Sequence, residues 1–600
     1  MHINKYLKKP DAYIKYVLHG GRRPTREVHV GNIPLGGSNP IRIQSMTTAD
    51  TLDTAAVVDE TIRLVDAGCD YVRITTPNLT TARNLHNIKN ELKRRGYDVP
   101  LIADVHFTPN VAEEAARIVE KVRINPGNFV DKKSLKPNKS YTDSDFEAAQ
   151  ERIRQRLRPL LNICKEYGTA LRIGTNHGSL SDRILYRYGD TPVGMVESVM
   201  EYLRVCLEEG FYNVVISLKA SNPLVMIAAN RLMVMKMDEE GMDIPLHLGV
   251  TEAGEGENAR IKSALGIGTL LADGLGDTIR VSLAEPPEAE VPVAQSIAAH
   301  FANQYRNIRP ELTTPSCLNY NPFLETLATK RPVVIARVDH NYTPPPEGPM
   351  PDMVWFDSIP NAIPSGLQSV VPITAWNHSS NLAPWFTSSD QWQAFAKTHP
   401  QYPYYVRFPS LEAALNTQLP GQGWKVVPPQ SYRTMRRLLC QQEASERILW
   451  APTTTNDTDE LIHLAIHVGG ILAEGWGEGL VWDIGKSPLQ RAFQLLQATR
   501  RRMFQTEFIA CPSCGRTLFD LQSTTKHIRA ALSDYPGLKI AIMGCIVNGF
   551  GEMADADYGY IGTGPGRIAL FRGHEMVRRN IPEDQAVEAL RELIESDLRK

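Results

Sequence analysis

The chain has 600 residues, of which 42% are hydrophobic and 22% charged, and its formal net charge is -2. That length predicts several domains with ample cores, and the near-neutral balance excludes a global field that would favour nucleic acid or an anionic membrane. No apolar run reaches membrane-spanning length, the segment MHINKYLKKPDAYIKY has neither signal-peptide nor transit character, and eight cysteines are too few for a disulfide scaffold, so the expectation is a cytosolic protein with reduced thiols.

In chain order, eight short β-branched runs come first: IRIQSM at 41–46, YVRIT at 71–75, LIADVHF at 101–107, KVRIN at 121–125, ALRIGTN at 170–176, NVVISLK at 213–219, PLHLGVTE at 245–252 and TIRVSL at 278–283. Each ends in polar residues, and amphipathic stretches such as TAAVVDETIRLVDAG lie between most of them. Strand–helix alternation predicts a parallel sheet, and eight units in about 250 residues is the size of a (β/α)8 TIM barrel. An open doubly wound sheet is the alternative.

All eight tryptophans fall between Trp355 and Trp482. So abrupt a shift in composition marks an inserted domain, giving three regions: 1–300, 301–490 and 491–600. The insert alternates too, with RPVVIARVD, MVWFDS, SVVPITAW, YYVRFPS, RILWAPT and GLVWDIG as strands and LIHLAIHVGGILAEG as a helix or buried strand–helix. It reads as α/β, in form a second and less regular barrel with a mainly structural role. The last region is α+β. Its segment TLFDLQSTTKHIRAAL predicts a helix starting just after Cys514, with Leu518, Leu521, Ile528 and Leu532 on one face and its positive end towards the cysteines.

The site of a (β/α)8 barrel is built at the C-terminal ends of its strands. The polar residues there are Arg73, Asp104, His106, Arg123, Asn125, Arg172, Asn176, Lys219, His247, Glu252, Arg280 and Ser282. One arginine at a strand end is more often a surface ion pair than a ligand. Four arginines and a lysine converging on one mouth reverse that reading and point to a ligand with several negative charges, a diphosphate being the natural guess. Asp104 and His106 serve equally well as loop anchors. Glu252 is a candidate acid or base, with Glu255 and Glu257 as rivals. The stretch GTNHGSLSDR could cradle phosphate, although glycine and serine alone are a weak signal. Cys69, Cys164, Cys206, Cys317 and Cys440 stand alone and read as packing residues.

Near the C-terminus come Cys511-Pro-Ser-Cys514 and Cys545-Ile-Val-Asn-Gly-Phe-Gly-Glu552. Three thiolates are one too few for a four-cysteine site. Zinc would need a fourth ligand such as His527, and a redox dithiol would leave Cys545 without a role. A [4Fe–4S] cluster held by Cys511, Cys514, Cys545 and Glu552 uses every part. Its carboxylate corner is labile enough to free one iron as a Lewis acid.

The run GCIVNGFGE with the upstream ACPSCGR resembles the IspG (GcpE) family, the 4-hydroxy-3-methylbut-2-enyl diphosphate synthases. The segments SMTTADTLDT, YVRIT, IADVHF, VRINPGN, LRIGTNHGSL, SLKAS, LGVTEAG and IRVSL agree with it in order. The resemblance covers about residues 20–290 and 500–600 and is to the long, three-domain form found in plants and some bacteria. It implies reductive ring opening and dehydration of 2-C-methyl-D-erythritol 2,4-cyclodiphosphate in the non-mevalonate isoprenoid pathway. One [4Fe–4S] cluster would serve it, with ferredoxin or flavodoxin as electron donor.

By that resemblance Cys511, Cys514, Cys545 and Glu552 are the cluster ligands. Arg73, Arg123, Arg172, Asn176, Lys219, Arg280 and Ser282 bind the diphosphate. Asp104 and His106 lie near the substrate, and Glu252 is the acid or base. The resemblance also implies a monomer that needs no second chain for its site, working in the bacterial cytoplasm without nucleic acid or membrane. Where the family commonly has proline, this chain has Phe550, which leaves the turn carrying Glu552 less constrained. The competing function is a phosphate-binding barrel carrying a structural zinc ribbon. A radical S-adenosylmethionine barrel would need a C-x3-C-x2-C motif that the chain lacks, and a pterin-binding barrel would leave the cysteines unexplained.

Overall fold

The structure is a computed structural model that describes residues 21–599 apart from 106–107, 132–139, 303–330, 346–347, 441–446, 455, 512–516, 547–550, 552 and 554. The chain divides into two compact units, one spanning Gly21–Ile308 and Gln505–Lys600, the other Arg309–Phe504.

The first unit begins with eight parallel strands: β1 (Arg42–Met46), β2 (Tyr71–Thr75), β3 (Leu101–Asp104), β4 (Lys121–Ile124), β5 (Ala170–Asn176), β6 (Val214–Lys219), β7 (His247–Leu248) and β8 (Thr278–Ile279). Neighbours in sequence are neighbours in space, β8 pairs with β1, and a parallel bridge from Ile216 to Leu246 joins β6 to the start of β7. The ring is therefore a (β/α)8 barrel and not the open sheet. Side-chain caps begin several of its helices. Asp53 accepts from the Ala56 amide, Asn78 forms a capping box with Thr81, and Thr142 forms one with Asp145.

Inside the barrel the strands alternate in character. The first inward residues of several strands, Tyr71, Ile102, Ala170 and Val215, pack with Val28, Val30 and Leu35 into an apolar floor. A bridge between Val28 and Leu35 shapes the hairpin that plugs this end. The next inward residues towards the other end include Arg73, Asp104 and Arg172, so the fold seals one end with hydrocarbon and charges the other.

Behind the barrel in sequence, and in the same unit, lies a five-stranded sheet: β17 (Glu507–Ala510), β18 (Lys539–Met543), β19 (Tyr558–Gly564), β20 (Arg567–Arg572) and β21 (Glu575–Pro582). The first three strands run parallel and the last two antiparallel. Helices Leu521–Leu532 and Glu583–Leu598 cover one face through Leu521, Ile528, Leu532, Leu590 and Ile594. The helix expected just after Cys514 starts at Leu521, where Asp520 caps the Ser523 amide, so Leu518 precedes it. The cap decides the start: an aspartate accepting from the third amide beyond it ends the preceding loop.

The second unit is a closed barrel of eight parallel strands: β9 (Val333–Val338), β10 (Met353–Phe356), β11 (Gln368–Pro372), β12 (Leu382–Phe386), β13 (Tyr404–Arg407), β14 (Gly423–Val427), β15 (Ile448–Trp450) and β16 (Gly479–Asp483). It contains the six strands expected in the insert and two more, β12 and β14. The segment read as helix or strand–helix is helical from Thr458 to Ala473, with one wider turn at Ala465–Gly469. Its tryptophans build the core: Trp355, Trp450 and Trp482 are fully buried, and Trp355 stacks on Trp385 with ring centroids 5.6 Å apart.

Candidate active site

The charged end of the first barrel is built by register. Asp104 on β3 pairs with Arg123 on β4, Arg123 with Arg172 on β5, and Asn176 with Lys219 on β6. Arg123 donates to Asp104 at 3.0 Å and to the Gly174 carbonyl at 3.0 Å, while Arg73 lies 3.9 Å from Asp104. Arg280 is held by Glu290 through two contacts of 3.1 Å. Arg73 and Arg280 both turn towards the Met46 sulfur, at 2.9 Å and 3.6 Å respectively. Ser282, two residues beyond Arg280, is buried.

Two cations stand apart from this pairing. Arg172 is 1% exposed, and its Nε and Nη1 have no hydrogen-bond partner. Lys219 is 5% exposed, and Gly249 makes room for its ammonium group, because a Cβ there would sit 2.8 Å from Nζ. Burial, then Arg73 and Arg123, pushes the Arg172 guanidinium well below its ordinary value, and burial with Arg172 and Arg73 does the same to Lys219. Arg73 is lowered to about 10 by burial, with Arg280 and Arg123 adding to the effect and Asp104 opposing it. A guanidinium keeps its proton inside proteins, so its unmet charge becomes affinity for an anion.

Glu252 is 4% exposed and has φ of 48°, one of four non-glycine residues in the left-handed region among those described. Such a conformation costs on the order of 1–3 kcal/mol and persists where the surroundings impose it, most often at functional sites. Its rivals are committed elsewhere. Glu255 precedes helix Gly256–Ala272 and faces Arg529 at 3.5 Å, and Glu257 lies in that helix's first turn.

The cysteine segments come from adjacent parallel strands. Cys511 follows β17 and Cys545 lies just past β18; both are partly exposed and neither is in a disulfide. The Gly544 amide donates to the Cys511 sulfur at 3.3 Å. Two thiols outside any disulfide at neighbouring strand ends, one already accepting a backbone hydrogen bond, fit the donor set of an iron–sulfur centre. His106, Cys514, Phe550 and Glu552 lie outside the described residues, and among those described no cluster of three metal-ligating side chains occurs. By contrast Cys69, Cys164, Cys206 and Cys440 are buried, burial raising the thiols of Cys69 and Cys164 to about 12; Cys317 lies outside the described residues.

The barrel mouth and the cysteine sheet touch within their unit. Ala253 pairs in parallel with Ala510. Lys262 donates to Glu507 at 2.6 Å in a buried pair. A Cβ on Gly551 would lie 2.6 Å from the Ser179 hydroxyl and 2.9 Å from the Gly178 carbonyl, so the chain just before Glu552 rests on the loop after β5.

Several residues of this site escaped the sequence reading. Glu290 and Met46 order Arg280 and Arg73. Gln44 and Lys121 are buried inside the barrel with side-chain atoms that find no hydrogen-bond partner. His247, grouped with the strand-end residues, sits deeper: it opens β7, is fully buried, and is pushed down by burial, Lys219, Arg172 and Lys121. Lys121 had a usable signal, being two residues before Arg123 and hence on the same side of β4.

Among the described residues no helix is long and apolar enough to cross a membrane. Residues 25–295 match the GcpE TIM-barrel domain and residues 507–596 the GcpE protein C-terminal domain. A relative from Phocaeicola vulgatus, called 4-hydroxy-3-methylbut-2-en-1-yl diphosphate synthase (flavodoxin), is 45% identical over 96% of this chain and 98% of its own length. Relatives of the same name from Parabacteroides distasonis and Leptospira interrogans are 44% and 41% identical, covering 98% and 96% of this chain and 99% and 97% of their own lengths. With both domains in place and relatives matched along almost their whole length, the chain belongs to the GcpE family and is an enzyme of the 4-hydroxy-3-methylbut-2-en-1-yl diphosphate synthase type.

Proposed function

We propose that the enzyme reductively opens 2-C-methyl-D-erythritol 2,4-cyclodiphosphate and eliminates water to give (E)-4-hydroxy-3-methylbut-2-enyl diphosphate in the non-mevalonate isoprenoid pathway. The observation that carries the reading is the Ala253–Ala510 bridge, which sets a cationic barrel mouth against a pair of strand-end thiols. A zinc ribbon needs no such contact.

Arg172 and Lys219 supply the unmatched positive charge for the diphosphate, and Arg73, Arg123 and Arg280 surround it from neighbouring strands. Asn176 and Ser282 add neutral donors. Asp104 and Glu290 keep the arginines in fixed orientations, which lowers the reorganisation needed on binding. His106 follows Asp104 by two residues in sequence, and we assign it with Asp104 to the surroundings of the substrate. Glu252 holds a carboxyl at the junction and exchanges a proton with the substrate there.

Cys511, Cys514, Cys545 and Glu552 would hold one [4Fe–4S] cluster. When bound, it supplies electrons singly together with Lewis acidity. The contacts through Ala253, Lys262 and Gly551 hold the cysteine sheet on the barrel mouth, an arrangement that supports keeping water from reactive species formed from the substrate. Since one chain provides both halves, a monomer suffices. Flavodoxin, in the names of the relatives, is the donor we favour over ferredoxin, and the setting is the bacterial cytoplasm. The chain then comprises the barrel domain of 1–300, an inserted domain of 301–490 with a mainly structural role, and the cluster domain of 491–600.

Anaerobic purification followed by iron, sulfide and zinc assays tests the reading, with the cyclodiphosphate then titrated into reduced protein under EPR. About four irons per chain and a signal altered by substrate are expected. One zinc, no iron and no spectral response would overturn it in favour of a phosphate-binding barrel with a structural ribbon.

A further inference from the structure

Beneath the arginines lies a second polar layer that the anion site does not use. On β4 and β5, Lys121 pairs with Ala170 one inward step below the pair Arg123–Arg172. Lys121 is fully buried, its Nζ has no hydrogen-bond partner, and it lies over the Tyr71 ring at 4.4 Å from the centroid.

The groups around it come from every side of the barrel. Tyr71 and Arg73 come from β2, Ile102 and Asp104 from β3, Arg172 from β5, and His247 from β7. Gln44 on β1, beside Tyr71, is buried with both amide atoms unpartnered. Among these the one carboxylate, Asp104, is taken by Arg123. Val28, Leu35, Ile102 and Ala170 close the space below.

An ammonium in such a place is cut off from bulk solvent and has neither a counter-ion nor a protein acceptor in contact, and an aromatic face offsets only part of that loss. Burial, then Arg172 and Arg73, drives the Lys121 amine well below its ordinary value, in the direction that favours the neutral form. An anion seated on Arg172 reverses the field that Lys121 feels. Arginine cannot answer by titrating; a lysine amine can.

Resting on the diphosphate reading of the mouth, we propose that Lys121 is a charge-matching residue for the bound anion, an amine under Arg172 that takes up one proton from bulk water as the anion binds. The proton adds to the Nζ lone pair, and the layer gains one positive charge facing the ligand. Affinity then falls as pH rises, because the proton must be drawn from an increasingly dilute supply.

Calorimetric titration of the full-length protein with 2-C-methyl-D-erythritol 2,4-cyclodiphosphate, in two buffers of different ionisation enthalpy, counts that proton. The ligand is a clean probe because each of its phosphorus atoms keeps a single acidic oxygen, so its own charge is constant near neutrality. At about pH 8 the wild type should take up roughly half a proton or more, and Lys121→Met should lose most of this. Lys121→Gln serves if the methionine variant does not fold. The wild-type dissociation constant should weaken by up to about tenfold per pH unit in this range, and the variant's dependence should flatten. A merely structural lysine would change stability or affinity and leave the proton count alone.

Equal uptake in wild type and variant would overturn the inference and place the proton on Lys219 or His247. Binding without any uptake would also overturn it. No binding to the wild type would remove the diphosphate reading and this inference together.

Discussion

Ala253 and Ala510 are partners in a parallel bridge, which places the residue after Glu252 beside the residue before Cys511. A left-handed, buried carboxylate and a partly exposed thiol are thus held one residue to either side of the same backbone contact. The candidate acid or base and a candidate cluster ligand flank one backbone contact.

Glu252→Gln removes the titrating oxygen while keeping size and hydrogen bonding. Turnover should fall by about 10²–10⁴-fold, the usual range for a general acid or base, with iron content and substrate affinity little changed. Steady-state assays with reduced flavodoxin, alongside iron analysis and substrate titration, check this. Normal turnover would remove Glu252 from the chemistry.

Arg172→Leu separates stability from binding. Arg172 is buried with two nitrogens unpartnered, so replacing it should leave the melting temperature unchanged or higher. Affinity for the cyclodiphosphate should weaken by about 2–5 kcal/mol, or some 30-fold to several thousand-fold. Calorimetric melting and ligand titration on the same sample give both signs.

The Lys262–Glu507 pair joins the barrel to the cysteine sheet in a buried setting at 2.6 Å. Replacing the lysine removes a charge contact from the buried Glu507, so Lys262→Met should cost about 3–5 kcal/mol. Adding Glu507→Leu should recover most of the loss. Denaturant titrations of the two single variants and the double variant measure the coupling directly.

Gly551→Ala tests the closure. The new methyl would press on the Gly178 carbonyl, a backbone atom that cannot rotate away, as well as on the Ser179 hydroxyl. Turnover should drop about tenfold or more for a displacement on the scale of 1 Å. Substrate binding to the barrel should persist, as read by titration. Unchanged turnover would mean that the Gly551 contact is incidental.

The buried thiols predict the alkaline limit of stability. Cys69 and Cys164 ionise near 9 when unfolded, whereas burial raises both to about 12 in the fold. Above 9 the unfolded chain therefore binds fewer protons than the folded one, and stability falls with pH. Their contribution is fully present below pH 9 and is lost up to about 12, at no more than about 1.4 kcal/mol per pH unit for each thiol. Urea midpoints between pH 8 and 11 should decline, and Cys69→Ala with Cys164→Ala should flatten the slope.

All eight strands of the first barrel could be read from the chain because each keeps its β-branched run even where the paired stretch is as short as His247–Leu248. The insert was harder for a physical reason. In LAPWF a proline at 384 argues against a strand, yet Pro384 pairs with Val371 within β12 and β11. In GWKVV the apolar run is too brief to stand out from its loop, and only closure of the barrel gives it neighbours on both sides. At the site, the arginines were visible because a charge at the end of an apolar run is conspicuous. Lys121 was not, since a lysine opening a strand looks like a surface residue until its partners prove to be Ile102 and Ala170. Met46 and Glu290 were hidden because their part is to orient other side chains, which no local pattern encodes.

The bridge at Ala253 has a consequence for how the protein is made. A ribosome releases Ala253 roughly 250 residues before it reaches Ala510, and the intervening insert is a compact unit of its own. On the proposed reading the nascent chain for that time displays a cationic mouth without the strands that would cover it. Loop closure across such a span costs only slightly more entropy than across a short one, since the penalty grows with the logarithm of length. On the proposed reading the site is therefore assembled only once β17 has been made, and a chain stopped before it would bind the anion without transforming it.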